Sequence, residues 1–590
     1  MLQTDNGTPA SVTLAQPSAS PYQRWQFSYQ THYPKKGTAG YEGPPYSTEL
    51  QTSWAYNYDD NTGSTLPARF AYIPMIDTKY WEPVSDLQSR DAGWVNSAQQ
   101  VYLLGYNEPD NSGSASTNPS TNDAIATWPS LMALNIPLVS PAMQNSGDAW
   151  ETSFFQMIAA NNYRVDYTAV HEYVPPNVGS LISVLNGEYN AHGRPVWLTE
   201  FSPVDWSGNQ GWTEDDDYNF LAEFMWQAED QEWLKRYSIF PFTGTNALPP
   251  YQKTTAGYRG NFFLTGSTLA PYGELYATWD ADRTLHGRIP YILHNLGTSF
   301  RLTGTNNIVF PQASTIYVRN ATTEWALLAA PTANHWYIIS LNDGRRLRDN
   351  VGTLTLAPPG TTGGTVEWVF TGPDSSGYYF ISNPTGGHNL NGAGTAPAIS
   401  FGTTTSTTQN NNTRWRLVKP YQAVTIITNL NVPIILSTAA GDQTATLNWG
   451  SSDRFYNVYK ASNTGGPYTL IGSNLTATTY TDTAVTDGVP YFYVVTGLDI
   501  LGEESGYSTE VSVQPVSMSA VQLGVSLGNN QMQFSWPTDH TGWNLQMQTN
   551  ALNAGLGTNW VTLPGSNATN SIALPVNPAN QSCFFRLISP

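Results

Sequence analysis

Two short segments end a hydrophobic strand on a carboxylate. Val101-Tyr-Leu-Leu-Gly-Tyr-Asn-Glu-Pro-Asp110 runs apolar until Asn107 and Glu108, and Arg194-Pro-Val-Trp-Leu-Thr-Glu-Phe201 does the same at Glu200. Two carboxylates held at the ends of separate strands can divide the labour of cleaving an acetal. One protonates the departing oxygen while the other attacks carbon or activates water, as glycoside hydrolysis requires. Asn107 offers an amide suited to a sugar hydroxyl, and His171 ends a third apolar segment, Tyr167–Tyr173. Trp54, Tyr56, Trp81, Tyr106, Tyr173, Trp206 and Trp212 follow expected strands, where their rings can form walls for stacking sugars. A lone carboxylate at a strand end usually serves as a cap or an ion-pair partner, and His171 alone reads as a satisfied core residue. The chemical reading rests on the pair.

Elements must bring these residues together. Residues 1–290 contain short apolar runs alternating with helical windows such as Tyr218 to Leu234. Eight candidate strands lie at 36–41, 53–58, 69–76, 100–106, 136–142, 167–173, 195–201 and 236–242, about 29 residues apart on average. That is room for a strand, a helix and two loops, and the expected fold over 35–290 is a (β/α)8 TIM barrel. The first two units are tight, because 36–58 leaves little space for a full helix. In such a barrel the C-terminal strand ends surround the active site. Carboxylates on strands four and seven then face each other across the mouth.

The residues also carry a family resemblance. Leu104-Gly-Tyr-Asn-Glu-Pro-Asp110, Trp128-Pro-Ser-Leu-Met132, Val139-Ser-Pro-Ala142, Arg164-Val-Asp-Tyr-Thr-Ala-Val-His171 and Trp197-Leu-Thr-Glu-Phe201 resemble, in order and spacing, glycoside hydrolase family 128 of clan A. The resemblance implies a retaining, endo-acting enzyme on β-1,3-glucan that works by double displacement. It makes Glu108 the acid/base and Glu200 the nucleophile, with His171 hydrogen-bonded near the pair. A retaining pair sits about 5–5.5 Å apart, and a neighbouring carboxylate is expected to raise the pKa of Glu108 and keep it protonated. One departure bears on substrate preference: Glu172, before Tyr173, stands where the family commonly has an aromatic residue. Two alternatives stay open, the same chemistry on another β-linked polysaccharide such as a marine galactan, and a non-catalytic glycan-binding protein.

Beyond residue 290 helical periodicity disappears. Tyr291–Leu302, Trp336–Leu347 and Tyr378–Leu390 resemble one another, and each repeat ends on a Trp beside a charged residue, at Trp325, Trp368 and Trp415. Three strand-like repeats of about 40 residues read as a β-trefoil over 291–420. The fold resembles the ricin-type lectins but lacks their Gln-x-Trp. The recurring Trp positions favour trefoil core over ligand contact, and support of the first domain over glycan binding. Residues 431–515 have the alternation of a fibronectin type III-like β-sandwich, with Trp449 early and Tyr491-Phe-Tyr-Val-Val late. Residues 517–590 read as a small C-terminal β module, and 1–34 as an N-terminal extension.

Composition bounds the partners. The 590 residues include 20 Trp, 34 Tyr and 21 Phe, and charged residues make up only 12%. With 25 basic against 44 acidic residues, no nucleic-acid partner is expected. No apolar stretch reaches the length of a membrane span, so no membrane partner is expected either. A single cysteine, Cys583, excludes an intrachain disulfide and a Cys-based metal site. No cofactor or metal is expected. The acidic run Glu214–Asp217 matches no calcium loop and reads as a solvated turn that caps a helix. The partner expected is a polysaccharide or oligosaccharide substrate, acted on by a secreted monomer whose signal peptide is not in this sequence.

Overall fold

The computed structural model describes residues 2–4, 12–14, 35–67, 70–76, 102–111, 118–204, 212–240, 253–254, 257–258, 262–305, 308–313, 321–394, 400–421, 426 and 430–589. The chain divides into two compact units, one holding most of residues 1–424 and the other built mainly from 425–590.

The first unit begins with a closed ring of parallel segments. Lys36–Ala39 pairs with Trp54–Tyr56, which pairs with Ala71–Tyr72. Single bridges then link Met75 to Leu104, Leu103 to Leu138, Asn107 to Ala142 and Val139 to Tyr167. Thr168–Val174 pairs with Val196–Pro203, which pairs with Leu234–Ile239, and that strand returns to Lys36–Ala39. Gly105 lets two neighbouring segments approach: a Cβ there would lie 2.5 Å from the backbone nitrogen of Pro141.

Helices Thr121–Met132, Ala149–Ala160, Val178–His192 and Glu214–Asp230 separate successive segments, and Pro271–Thr278 follows the last. Each of the first four starts at a side-chain cap, Ser120, Asp148, Asn177 and Thr213, which satisfies an orphan backbone N–H. The acidic run is a cap as expected, since Asp216 Oδ2 accepts from Thr213 N at 2.7 Å. The helical window expected to reach Leu234 stops at Asp230. Gln231 turns extended, and Leu234 opens the last strand of the ring. Between the first two segments only the four-residue helix Tyr46–Glu49 fits.

Side chains of the ring sort into two apolar layers. Ala39, Trp54, Tyr56, Ala71, Met75, Leu104, Val139 and Trp197 pack inside it. Val196, Leu198, Phe201, Leu221, Phe224 and Tyr237 pack between ring and helices. Each such side chain fully removed from water contributes about 1.5–3 kcal/mol.

Strands from Pro290–Asn295 to Arg414–Val418 form one connected 12-stranded system, and its first strand pairs with its last, Ile292 opposite Val418. The repeats share one internal hydrogen bond. The indoles of Trp325, Trp368 and Trp415 donate to the carbonyls of Leu302, Leu347 and Leu390 at 2.9, 2.9 and 3.0 Å. All six side chains are buried.

In the second unit, residues 434–513 form antiparallel sheets of three and four strands around Trp449, Tyr456 and Tyr493. Residues 524–588 form two three-stranded sheets whose core includes Phe534, Trp536 and Leu545. Among the described residues no helix is long and apolar enough to cross a membrane.

Candidate active site

The ring brings Glu108, His171 and Glu200 together. His171 Nδ1 lies 3.1 Å from Glu108 Oε1 and 3.6 Å from Glu200 Oε2, and one donor atom of each residue lies within 4.8 Å of the other two. His171 and Glu200 are buried at 1% and 4% exposure, and Glu108 is half-buried.

Glu200 faces inward because its strand is irregular. Trp197 points into the ring and Leu198 into the helix layer. Strict alternation would turn Phe201 inward and Glu200 outward. The register against both neighbouring strands shifts here, so His171 pairs with Glu200 and Phe201 packs outside against Phe224. One extra residue, Thr199, resets the alternation. Its carbonyl accepts from Tyr56 Oη at 3.0 Å and Ser238 Oγ at 2.5 Å.

Both oxygens of Glu200 accept phenols. Tyr56 and Tyr58 donate to Oε1 at 2.9 and 2.6 Å, and Tyr173 donates to Oε2 at 2.6 Å. Burial and the adjoining carboxylate push all three phenols well above their ordinary range, so they remain donors.

Glu108 is held through its backbone as well as its carboxylate. Its φ of 40° lies in the left-handed region, a costly conformation for a residue with a side chain. Glu108 N donates to Ala142 O at 2.8 Å, and Asn118 Nδ2 donates to Glu108 O at 2.9 Å. Asn111 Nδ2 donates to Oε2 at 3.3 Å. The expectation that Glu108 is raised is reversed. Burial does raise it, but the hydrogen bond and charge of His171, with Asn111, pull it below the usual carboxylate value. Burial lowers His171, but the charges of Glu200 and Glu108 more than compensate and raise it. The two shifts run toward a carboxylate at Glu108 paired with a charged imidazole at His171.

The other expected site residues separate. Asn107 adjoins the pair, and its Oδ1 is buried with no hydrogen-bond partner among the described residues. Tyr56 and Tyr173 bind Glu200 through their hydroxyls, and Tyr56 is fully buried and offers no face to a sugar. Trp54 is fully buried on the floor of the ring, with its indole on Lys35 O, its ring against Trp197 and the Arg236 guanidinium beside both rings, so it has no face for a sugar. Tyr106 points outward into the cluster of Trp128 and Ile125, because it lies one residue out of phase with Asn107 on its segment. Trp212 is half-buried before the helix Glu214–Asp230, and makes no hydrogen bond or ring contact with the carboxylate pair among the described residues. Trp81 and Trp206 lie outside the described residues. Glu172 is half-buried and raised chiefly by burial. Two contacts of the pair went unanticipated, Tyr58 and Asn111. Tyr58 continues the alternation of Trp54 and Tyr56, and that periodicity is the signal that could have found it. The donor atoms of Glu108, His171 and Glu200 lie close enough together to hold a cation as well.

Comparisons with known proteins find relatives of parts of the chain. Residues 43–276 match the family described as "Glycosyl hydrolase catalytic core". Alkali-sensitive linkage protein 1 of Schizosaccharomyces pombe is 26% identical over 236 residues, 38% of this chain and 40% of that protein. An amylopullulanase of Thermoanaerobacterium saccharolyticum is 38% identical over 100 residues, 17% of this chain and 8% of that one. The chain thus spans less than half the length of these curated relatives. A family 128 subgroup I endo-β-1,3-glucanase from Amycolatopsis mediterranei, solved with laminaritriose, is 28% identical, with a TM-score of 0.34 over 41% of this chain and 98% of that one. The match to that catalytic-core family spans both carboxylates and the histidine between them.

Proposed function

We propose that this chain hydrolyses β-1,3-glucan internally and with retention of anomeric configuration, with Glu200 as nucleophile and Glu108 as acid/base. The observation that carries the reading is the carboxylate separation: the facing oxygens lie within 4.8 Å, with His171 bridging. That gap suits direct attack on the anomeric carbon. An inverting pair stands about 6.5–9.5 Å apart to admit a water.

In the first step Glu200 attacks the anomeric carbon, and the proton of the Glu108–His171 pair passes through Glu108 to the leaving oxygen. The three phenols fix both oxygens of the nucleophile and give up hydrogen bonds as its charge is consumed. In the second step Glu108 takes a proton from water, which displaces Glu200 and regenerates the pair. Asn107 Oδ1 accepts a sugar hydroxyl. The ring of eight parallel segments is read as a (β/α)8 barrel over 35–290, the three-repeat unit as a β-trefoil over 291–420, and 431–515 as a fibronectin type III-like module before the terminal module 517–590.

The test is a panel of laminarin, curdlan, lichenan and agarose with the product anomer followed by NMR. Laminarin should be cut to mixed oligosaccharides with the β-anomer formed first. Failure to cut laminarin sinks the substrate, initial α-anomer sinks the retaining mechanism, and release of glucose alone sinks endo action.

A further inference from the structure

A second cluster of ligating groups lies between the helices Ala149–Ala160 and Val178–His192. His192 Nε2 stands 3.2 Å from Glu151 Oε1 and 3.3 Å from Glu188 Oε2. Glu151 and Glu188 are 3% and 8% exposed. Glu188 and His192 are one turn apart and share a helix face. The groups are held in place: Glu151 Oε2 accepts from Gly147 N at 2.6 Å, and Phe155 stacks on the imidazole with ring centroids 3.7 Å apart. Glu188 Oε2 takes no hydrogen bond among the described residues.

Charge and geometry both ask for a cation here. Two buried carboxylates facing one imidazole carry a net charge of −1 even when the imidazole is protonated. A divalent ion bound by a neutral imidazole brings the cluster to zero, and buried charges persist only when paired or metal-bound. One nitrogen and two carboxylate oxygens is a donor set zinc accepts, with bonds of about 2.0–2.2 Å. Ligands at that distance in a tetrahedron stand about 3.3–3.5 Å apart, close to the two separations seen. We propose that Glu151, Glu188 and His192 form a structural site for a divalent transition ion, zinc fitting best, which clamps the two helices together.

The full-length chain, stripped with a chelator and dialysed, is titrated with zinc chloride while bound zinc and melting temperature are recorded. One zinc per chain and a rise in Tm of about 5 °C at saturation are expected. Glu188→Gln and His192→Gln should each lose both responses. Glu200→Gln should keep both, which separates this cluster from Glu108, His171 and Glu200. Should His192→Gln not fold, cobalt(II) decides the matter: a visible d–d band is expected with the wild-type chain and not with Glu188→Gln. No bound zinc and no change in Tm, zinc binding that survives Glu188→Gln, or binding that disappears in Glu200→Gln each overturns the assignment. The first of these outcomes leaves a protonated His192 between the two glutamates.

Discussion

At the residue scale, three phenols on one carboxylate fix both its position and its charge. Glu200 accepts from Tyr56, Tyr58 and Tyr173, and none of these can accept a proton from it at working pH. Glu200→Gln removes the nucleophile without emptying the cavity, so laminarin turnover should fall by about 10⁴-fold or more while polymer binding survives. Unchanged turnover would mean that another group attacks. Tyr58→Phe removes one donor from Oε1 and should lower kcat by about 10²-fold with little change in KM. An effect confined to KM would make Tyr58 a substrate contact. The pair's proton sets the pH profile. His171 is raised, so its stabilising charge is present below the ordinary imidazole pKa and lost as pH climbs through the higher folded value. Glu108 is lowered, so its contribution is present above the ordinary carboxylate pKa and lost as pH falls through the lower folded value. The alkaline limb of kcat/KM should therefore lie above the ordinary imidazole pKa of about 6.5. In His171→Gln the proton must reside on Glu108 alone, and the limb should move down by about one unit or more. An unmoved limb would put the proton elsewhere. Both carboxylates were legible from sequence because each ends an apolar run. The sharing of the proton was not, because burial and hydrogen bonding oppose each other and only their balance, seen in three dimensions, gives the direction.

At the element scale, the strand Val196–Pro203 depends on a count of residues. Strict alternation from Trp197 would bury Glu200 against Phe224 and aim Phe201 into the mouth, and Thr199 prevents this by occupying the bulge. Inserting one alanine between Thr199 and Glu200 should abolish turnover and lower stability by several kcal/mol in chemical denaturation, since Glu200 would turn outward and bring an unpaired carboxylate into the helix layer. Thr199→Ala keeps the count and should leave kcat within about threefold of the parent, because the bulge is held through the Thr199 carbonyl. Comparable losses from the two variants would refute this account. The positions of the strands were readable from apolar runs and their spacing. The phase of side chains within them was readable only where alternation is unbroken. Alternation breaks at both strand ends, between Leu104 inside the ring and Tyr106 in the helix layer and again at Thr199, so neither the outward turn of Tyr106 nor the inward aim of Glu200 could be deduced from it. Trp54 misled for another reason: a tryptophan at the start of a strand lies on the floor of a closed ring, a depth that spacing alone does not encode.

At the scale of the whole molecule, the many aromatic residues mostly serve cores. The three repeated tryptophans each spend their indole N–H on a buried carbonyl, which settles their place inside the three-repeat unit. Within the first unit of the chain, that β region also shares a boundary with the helices of the ring. Ile292 and Val418 pack in one cluster with Trp226, Leu275 and Trp279. Tyr378 donates to Glu223 Oε1 at 2.9 Å, and Arg416, buried over the Tyr378 ring, reaches Asn219 Oδ1 at 3.2 Å. Lys419 pairs with Asp280, and Tyr421 with Glu49. These contacts lie on helices and their flanks, and none touches Glu108, His171 or Glu200. A chain ending at residue 290 leaves the apolar cluster open to water and strips the partners from Glu223, Asp280 and Glu49. Its melting temperature should drop by about 10 °C or more, or the protein should aggregate on heating. The fraction that remains folded at low temperature should still cut soluble laminari-oligosaccharides at a kcat within a few-fold of the full chain. Binding to insoluble curdlan, measured on Glu200→Gln backgrounds of both lengths, completes the test. Equal binding means that the β modules support the ring. Binding lost on truncation, with Tm unchanged, would instead make them a glycan-binding arm.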